Sequence, residues 1–176
     1  MKKSGLLKAF ATTLVILIAQ QILGQGNLED TLLDRLNAIG TAAPGNIVIQ
    51  QIGNLNEAYI QQVNSFDNNV IETLQTGNAN YINLSQAGNK FSISIDQRGS
   101  SNIYAGDLEG SEASLDIVQY GDDNVVSQSS ILNNTRLSII QEGNNNEIAQ
   151  SGELSNTMGI SIRQQGFGMK LIVRSN

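Results

Sequence analysis

The chain contains no cysteine, no histidine and no tryptophan, and only one proline among its 176 residues. Without cysteine it has neither a disulfide framework nor thiolate chemistry. Losing histidine as well removes the commonest general base, the usual zinc ligands and most activated nucleophiles. These absences argue against an enzyme, and no residue is assigned a catalytic, cofactor-binding or metal-ligating role. Positive charge is scarce too: ten Lys and Arg stand against sixteen Asp and Glu, a formal net charge of −6. A nucleic-acid partner is thereby disfavoured, because phosphate contacts need a basic surface. Beyond the first 24 residues no apolar run approaches the ~20 residues of a membrane-spanning helix.

Those first residues read as a segment apart. Lys2, Lys3 and Lys8 stand at the start of an apolar run that ends TTLVILIA, too short and wrongly flanked to span a bilayer. This is the pattern of a secretory leader, with small residues Ala19 and Gly24 allowing cleavage between 19 and 26. Taking residues 1–24 as the leader removes three cations and no acid. Seven basic against sixteen acidic residues then leave the exported chain at −9.

What fills the rest is a repeat. Gln-x-Gly followed by Asn three residues after the Gly occurs as QIGNLN, QTGNAN, QRGSSN, QYGDDN and QEGNNN. The glutamines are Gln51, Gln75, Gln97, Gln119 and Gln141, spaced 24 and then 22 residues apart. Gly53, Gly77, Gly99, Gly121 and Gly143 keep step, as do Asn56, Asn80, Asn102, Asn124 and Asn146. A sixth copy carries Gln164 and Gly166 one residue late, with Met169 in the Asn place. The units run 45–67, 68–89, 90–111, 112–133, 134–155 and 156–176.

Each unit holds two alternating segments. Before the Gln, FSISIDQ, SLDIVQ and RLSIIQ put Phe91, Ile93, Ile95 and Gln97 on one face, with Leu115, Ile117, Gln119 and Leu137, Ile139, Gln141 doing the same. After the Asn, Ala58 and Ile60, Ile82 and Leu84, and Val126 and Ile148 again point one way. Between them lies a turn in which Gly adopts positive φ. One such unit cannot bury its apolar face alone, but stacked copies can. The expected fold is therefore all-β: a β-solenoid with two strands per coil and amyloid-like cross-β stacking. At ~4.8 Å per rung, six coils rise roughly 29 Å. In register, Gln51, Gln75, Gln97, Gln119, Gln141 and Gln164 form one amide ladder, the Asn column a second, and Gln62 with Gln86 part of a third. A buried amide without a partner costs about 1–3 kcal/mol, so the ladders enforce register.

The pattern Gln-x-Gly-x-x-Asn-x-Ala-x-x-x-Gln, complete in QIGNLNEAYIQQ at 51–62, resembles the curlin repeat of bacterial curli fibre subunits. QTGNANYINLSQ departs from it only in Ile82 for Ala, and the resemblance covers residues 45–176. It implies an exported functional-amyloid subunit of a biofilm matrix. Its implied partners are itself, a homologous subunit, and an outer-membrane secretion channel with accessory factors. The final unit carries Arg163, Lys170 and Arg174 and no acid, +3 against −12 for the rest of the exported chain. That divergent basic end looks like the last repeat of the minor, nucleating subunit, and the three cations are candidate partner contacts. The alternatives are the major fibre subunit and a non-polymerising β-solenoid adhesin. Leu108 and Ser130, where Gln62 and Gln86 would recur, depart from the family pattern.

Residues 25–44 form an N-terminal segment. Leu28, Leu32, Leu36 and Ile39 at helical intervals predict a short helix, either a signal read by the secretion channel or a cover for the first coil. Asp122, Asp123, Glu109 and Glu112 read as solvated turn charges, and Glu112, Asp116, Asp122 and Asp123 of the fourth unit should slow premature aggregation. Tyr59, Tyr81, Tyr104 and Tyr120 are expected at outward or turn positions. The last unit reads as IVR-rich strand rather than a polar cap, which leaves its edge open to another chain.

Overall fold

The computed structural model describes residues 14–19, 46–63, 68–155 and 159–175, and throughout them the chain is strand and tight corner. The helix expected within 25–44 and most of the leader lie outside the described residues. Strand β1 (Leu14–Ala19) precedes the coils. Coil 1 consists of β2 (Asn46–Asn54) and β3 (Glu57–Val63), coil 2 of β4 (Val70–Asn78) and β5 (Tyr81–Asn89), and coil 3 of β6 (Ser92–Ser100) and β7 (Ile103–Ser111). Coil 4 holds β8 (Ser114–Tyr120) and β9 (Val125–Asn133), coil 5 β10 (Arg136–Asn144) and β11 (Glu147–Ser155), and coil 6 β12 (Ile160–Phe167) and β13 (Lys170–Ser175).

Two parallel sheets result. Sheet A runs β1-β2-β4-β6-β8-β10-β12 and sheet B runs β13-β11-β9-β7-β5-β3. The chain crosses from one to the other at every corner, so each strand pairs with its equivalent one coil away. The register is in phase along the whole stack: Gln51↔Gln75↔Gln97↔Gln119↔Gln141↔Gln164. This is the expected two-strand β-solenoid of six coils. The apolar run read above as a leader, and set apart from the fold on sequence grounds, supplies its outermost sheet A strand, with Leu14 opposite Ile47 and Ala19 opposite Ile52.

Alternation decides which side chains meet between the sheets. Sheet A contributes Ile71, Ile93, Ile95, Leu115, Ile117, Leu137 and Ile139, and sheet B contributes Ile82, Leu84, Leu108, Val126, Leu132 and Ile148, all almost fully buried. Each such side chain stabilises by about 1.5–3 kcal/mol relative to exposure.

The corners explain the glycine column. Gly77 has φ +116 and Gly99 φ +121, and two residues later Ala79 and Ser101 are left-handed at φ 54 and φ 57. Conformation is only half of the requirement. A Cβ on Gly77 would lie 2.0 Å from the carbonyl oxygen of Gly99, and one on Gly99 would lie 2.1 Å from that of Gly121. Coils approach so closely there that no side chain fits.

Left-handed residues also recur at half the expected interval: Ala79, Lys90, Ser101, Glu112, Asp123, Asn134 and Asn145 are each 11 residues apart. Both corners of a coil thus share one geometry, and the structural unit is an 11-residue strand-plus-corner used twice.

Candidate functional site: amide ladders and open end faces

The Gln column crosses the core from sheet A. Nε2 of each glutamine donates to Oε1 of the next: Gln51 to Gln75 at 2.7 Å, Gln75 to Gln97 at 2.9 Å, and Gln97 to Gln119 at 2.8 Å. Gln119 continues to Gln141 at 3.0 Å, and Gln141 to Gln164 at 2.9 Å. The second Nε2 hydrogen reaches a carbonyl at the start of the sheet B strand one coil back, such as Tyr81 from Gln97 and Ile103 from Gln119. Each amide therefore sets register along the stack and ties the two sheets together.

The Asn column runs beside it at the sheet A to sheet B corner. Backbone N and Nδ2 of Asn80, Asn102, Asn124 and Asn146 donate to Oδ1 of the Asn one coil earlier, at 3.0–3.2 Å. Their Nδ2 groups also bind the corner Gly carbonyl one coil later: Gly99, Gly121, Gly143 and Gly166. Asn56 joins through Gly77. At the far end Met169 donates its backbone N–H to Asn146 Oδ1 at 3.2 Å and offers no amide onward. The Gln ladder reaches the last coil, whereas the Asn ladder stops one short.

Gln62 and Gln86 do not form the third ladder expected of them. They are in register, but Gln62 Nε2 is buried without a partner, while Gln86 Nε2 donates to the Gly88 carbonyl and Gln86 Oε1 accepts from Asn69. The reason is local: Asn69 Nδ2 takes Gln86 Oε1, the acceptor Gln62 would need, and on the far side Leu108, next in the column, has no amide to receive a bond from Gln86.

Tyr104 is also misplaced by sequence reasoning. It is fully buried, not outward. Gly106, two residues on, makes the room: a Cβ there would lie 2.2 Å from Tyr104 Oη. The hydroxyl donates to Gln128 Oε1 at 3.1 Å, and burial pushes its pKa far above the ordinary tyrosine value. Tyr59, Tyr81 and Tyr120 are exposed or at the exposure boundary.

Among the described residues no group of three Asp or Glu could hold a metal ion. Two of the turn acids, Asp122 and Glu112, have structural partners. Asp122 Oδ1 accepts the Ser100 N–H at 2.8 Å, capping the neighbouring corner. Glu112 is held below the usual carboxylate range by its hydrogen bond to Lys90 and by that ammonium's charge.

No protein-family model, curated protein or solved structure matches this chain. Function must be read from its surfaces.

The two ends differ. On the C-terminal face β12 and β13 are the last strands of their sheets, with Phe167, Met169, Leu171 and Ile172 exposed. Arg163 pairs with Glu142 at 2.8 Å and Lys170 with Glu147 at 2.7 Å, so two of the three terminal cations are tied to coil 5. Arg174 flanks a shallow groove of small residues on the outer face of sheet B. On the N-terminal face β3 ends sheet B, and β1 rather than β2 ends sheet A.

The 11-residue half-coil escaped sequence reasoning, although a signal was there. QAGN at 86–89 repeats QTGN of 75–78 at that interval, with Phe91 where the Asn would fall.

Proposed function

We propose that this chain is a secreted fibre subunit of the curli type, whose C-terminal face recruits further protein into the same stacked form. The outer edges of β12 and β13, without a partner strand among the described residues, carry the proposal. An edge of this kind presents a row of N–H and C=O groups to an incoming strand. Here the edge also carries the Gln ladder as far as Gln164, together with exposed Phe167, Leu171 and Ile172. Another copy, or a homologous subunit, extends both sheets by continuing the register already used five times within the chain.

Charge supports a head-to-tail arrangement. In sheet B the column Glu57, Tyr81, Ile103, Val125, Glu147, Lys170 would continue with Glu57 of the next copy, seating Lys170 between two carboxylates. Such pairs steer encounter more than they add affinity. The divergent basic coil and the resemblance of its sequence to a terminal curlin repeat favour the minor, nucleating role at the cell surface over the major fibre role. Export across the outer membrane through a dedicated channel, into a matrix serving biofilm and adhesion, belongs to the same reading.

The test is deletion of residues 156–176, with dye-detected fibre growth followed alone and in mixtures with a homologous subunit. Loss of seeding is expected, and unchanged seeding refutes the proposal. Fibre diffraction with a ~4.8 Å meridional repeat is expected of the product, whereas a persistently monodisperse species supports a solenoid adhesin instead.

A further inference from the structure

Sheet A does not end on the first coil. Strand β1 adds to the outer edge of β2 in parallel register: Leu14↔Ile47, Val15↔Val48, Ile16↔Ile49, Leu17↔Gln50, Ile18↔Gln51 and Ala19↔Ile52. This is the same relation that β2 bears to β4, and β10 to β12. The slot is therefore the one a preceding coil would fill. Carried along the stack, the register puts Leu14 in the column of Ile47, Ile71, Ile93, Leu115, Leu137 and Ile160. Ile16 falls in the column of Ile49, Thr73, Ile95, Ile117, Ile139 and Ile162. Residue for residue, LVILI occupies the position that ISIRQ of β12 would take if a second copy were stacked below.

We propose that residues 14–19 act as an intramolecular edge cap: the leader occupies the sheet A half of the N-terminal face and keeps it from the β12 strand of another copy. The proposal rests on reading the end faces as assembly surfaces. A junction between copies needs one C-terminal and one N-terminal face, so covering either blocks it. While the leader is attached, intact chains cannot extend one another through β2, and its removal frees that edge. The cap is imperfect in two ways that make it displaceable. It covers only sheet A, since β3 has no partner beyond it among the described residues. It also places Ile18 in the glutamine column, where no side-chain amide is available to donate to Gln51, as Gln164 of a second copy would. A copy therefore satisfies more of this face than the leader does, and the leader has the advantage only of being tethered.

The experiment uses the full 176-residue chain and two variants within β1. Ile16→Asp sets a charge in a column otherwise of Ile and Thr and is expected to release the strand. Ile18→Gln supplies the missing amide and is expected to tighten it. Diluted from denaturant and followed by amyloid dye, Ile16→Asp should shorten the lag about tenfold relative to the unaltered chain, and Ile18→Gln should lengthen it. Amide exchange on freshly folded monomer gives an independent reading. Alternate N–H groups of Ile47–Ile52 face β1, and they should exchange at least about tenfold faster in Ile16→Asp. Equal exchange overturns the cap, whatever the fibres do. Unequal exchange with equal lag overturns its control of assembly. If exchange differs as expected but none of the three chains ever polymerises, the cap stands and the fibre function falls.

Discussion

Replacing glutamine by leucine at one buried and one half-buried position should have different effects, and the difference measures what an amide ladder is worth. Gln119 sits mid-column with no solvent exposure. It accepts from Gln97 at 2.8 Å and donates to Gln141 Oε1, the Ile103 carbonyl and the Asn124 carbonyl, each at 3.0 Å. Leucine there orphans Gln141 Oε1 and one hydrogen of Gln97 Nε2. Two stranded groups cost about 1–3 kcal/mol each, offset by ~1.5–3 kcal/mol for burying the new side chain. The expected net loss is about 1–3 kcal/mol, a roughly 5- to 150-fold fall in the folded-to-unfolded ratio. Gln62 differs because its Nε2 is buried and already without a partner. Leucine there strands nothing on the donor side and should be neutral or stabilising by about 1 kcal/mol. Urea unfolding of the monomer, followed by circular dichroism with an unchanged slope against denaturant, reads both. Unfolding free energies of the two variants that agree to within about 0.5 kcal/mol would refute the claim that the Gln51-to-Gln164 column holds the register.

Three further outcomes are expected. Tyr104→Phe removes the donor to Gln128 and should cost about 1–2 kcal/mol at neutral pH. Because burial raises the Tyr104 pKa above the ordinary 10.0, the folded chain keeps the ring neutral while the unfolded chain ionises. The stability it confers is complete below that pH and falls by about 1.4 kcal/mol per unit above it, a decline that urea titrations at rising pH should find missing in the variant. Gly99→Ala forces a Cβ to within 2.1 Å of the Gly121 carbonyl oxygen at φ +121 and should destabilise by about 3 kcal/mol or more in thermal unfolding, whereas Ala79→Gly, relieving a left-handed alanine at φ 54, should stabilise by about 0.5 kcal/mol. Met169→Asn restores the amide missing from the last coil and should speed dye-detected elongation, with no change pointing away from the C-terminal face as the growing end.

Much of the architecture was legible because its cause is periodic. Gln, Gly and Asn recur where a stacked column requires them, so spacing alone fixed the number of coils, the register and the Gln and Asn ladders. What escaped was specific to single positions. Tyr104 is buried because Gly106 lacks a side chain, a pairwise accommodation that no column signals. Gln62 and Gln86 look like the start of a ladder, but Asn69 takes the Gln86 Oε1 that Gln62 would bond, a local competition that the column itself does not signal. The 11-residue half-coil was obscured because its second corner varies: Asn69, Phe91, Ala113 and Thr135 occupy one place, so backbone conformation repeats without residue identity. Strand β1 was set aside because a leader-like composition carries no periodic signal of pairing, although its register on β2 is the one every coil uses.

The two corners of each coil have unequal freedom. Where sheet A passes to sheet B, asparagines clamp every coil to the next, and that passage keeps a constant length from Gln to Asn. Where sheet B returns to sheet A, Asn69 makes the same clamp to Gly88 and Phe91, but Phe91, Ala113 and Thr135 follow in its place, and both departures from the 22-residue interval fall on this side, between Val63 and Val70 and between Ser155 and Ile160. Foreign loops grafted at the return side, between Val63 and Val70 or between Ser155 and Ile160 where the length already varies, should leave the stack intact, so the molecule has one edge that acts as a spine and another that is open to embroidery.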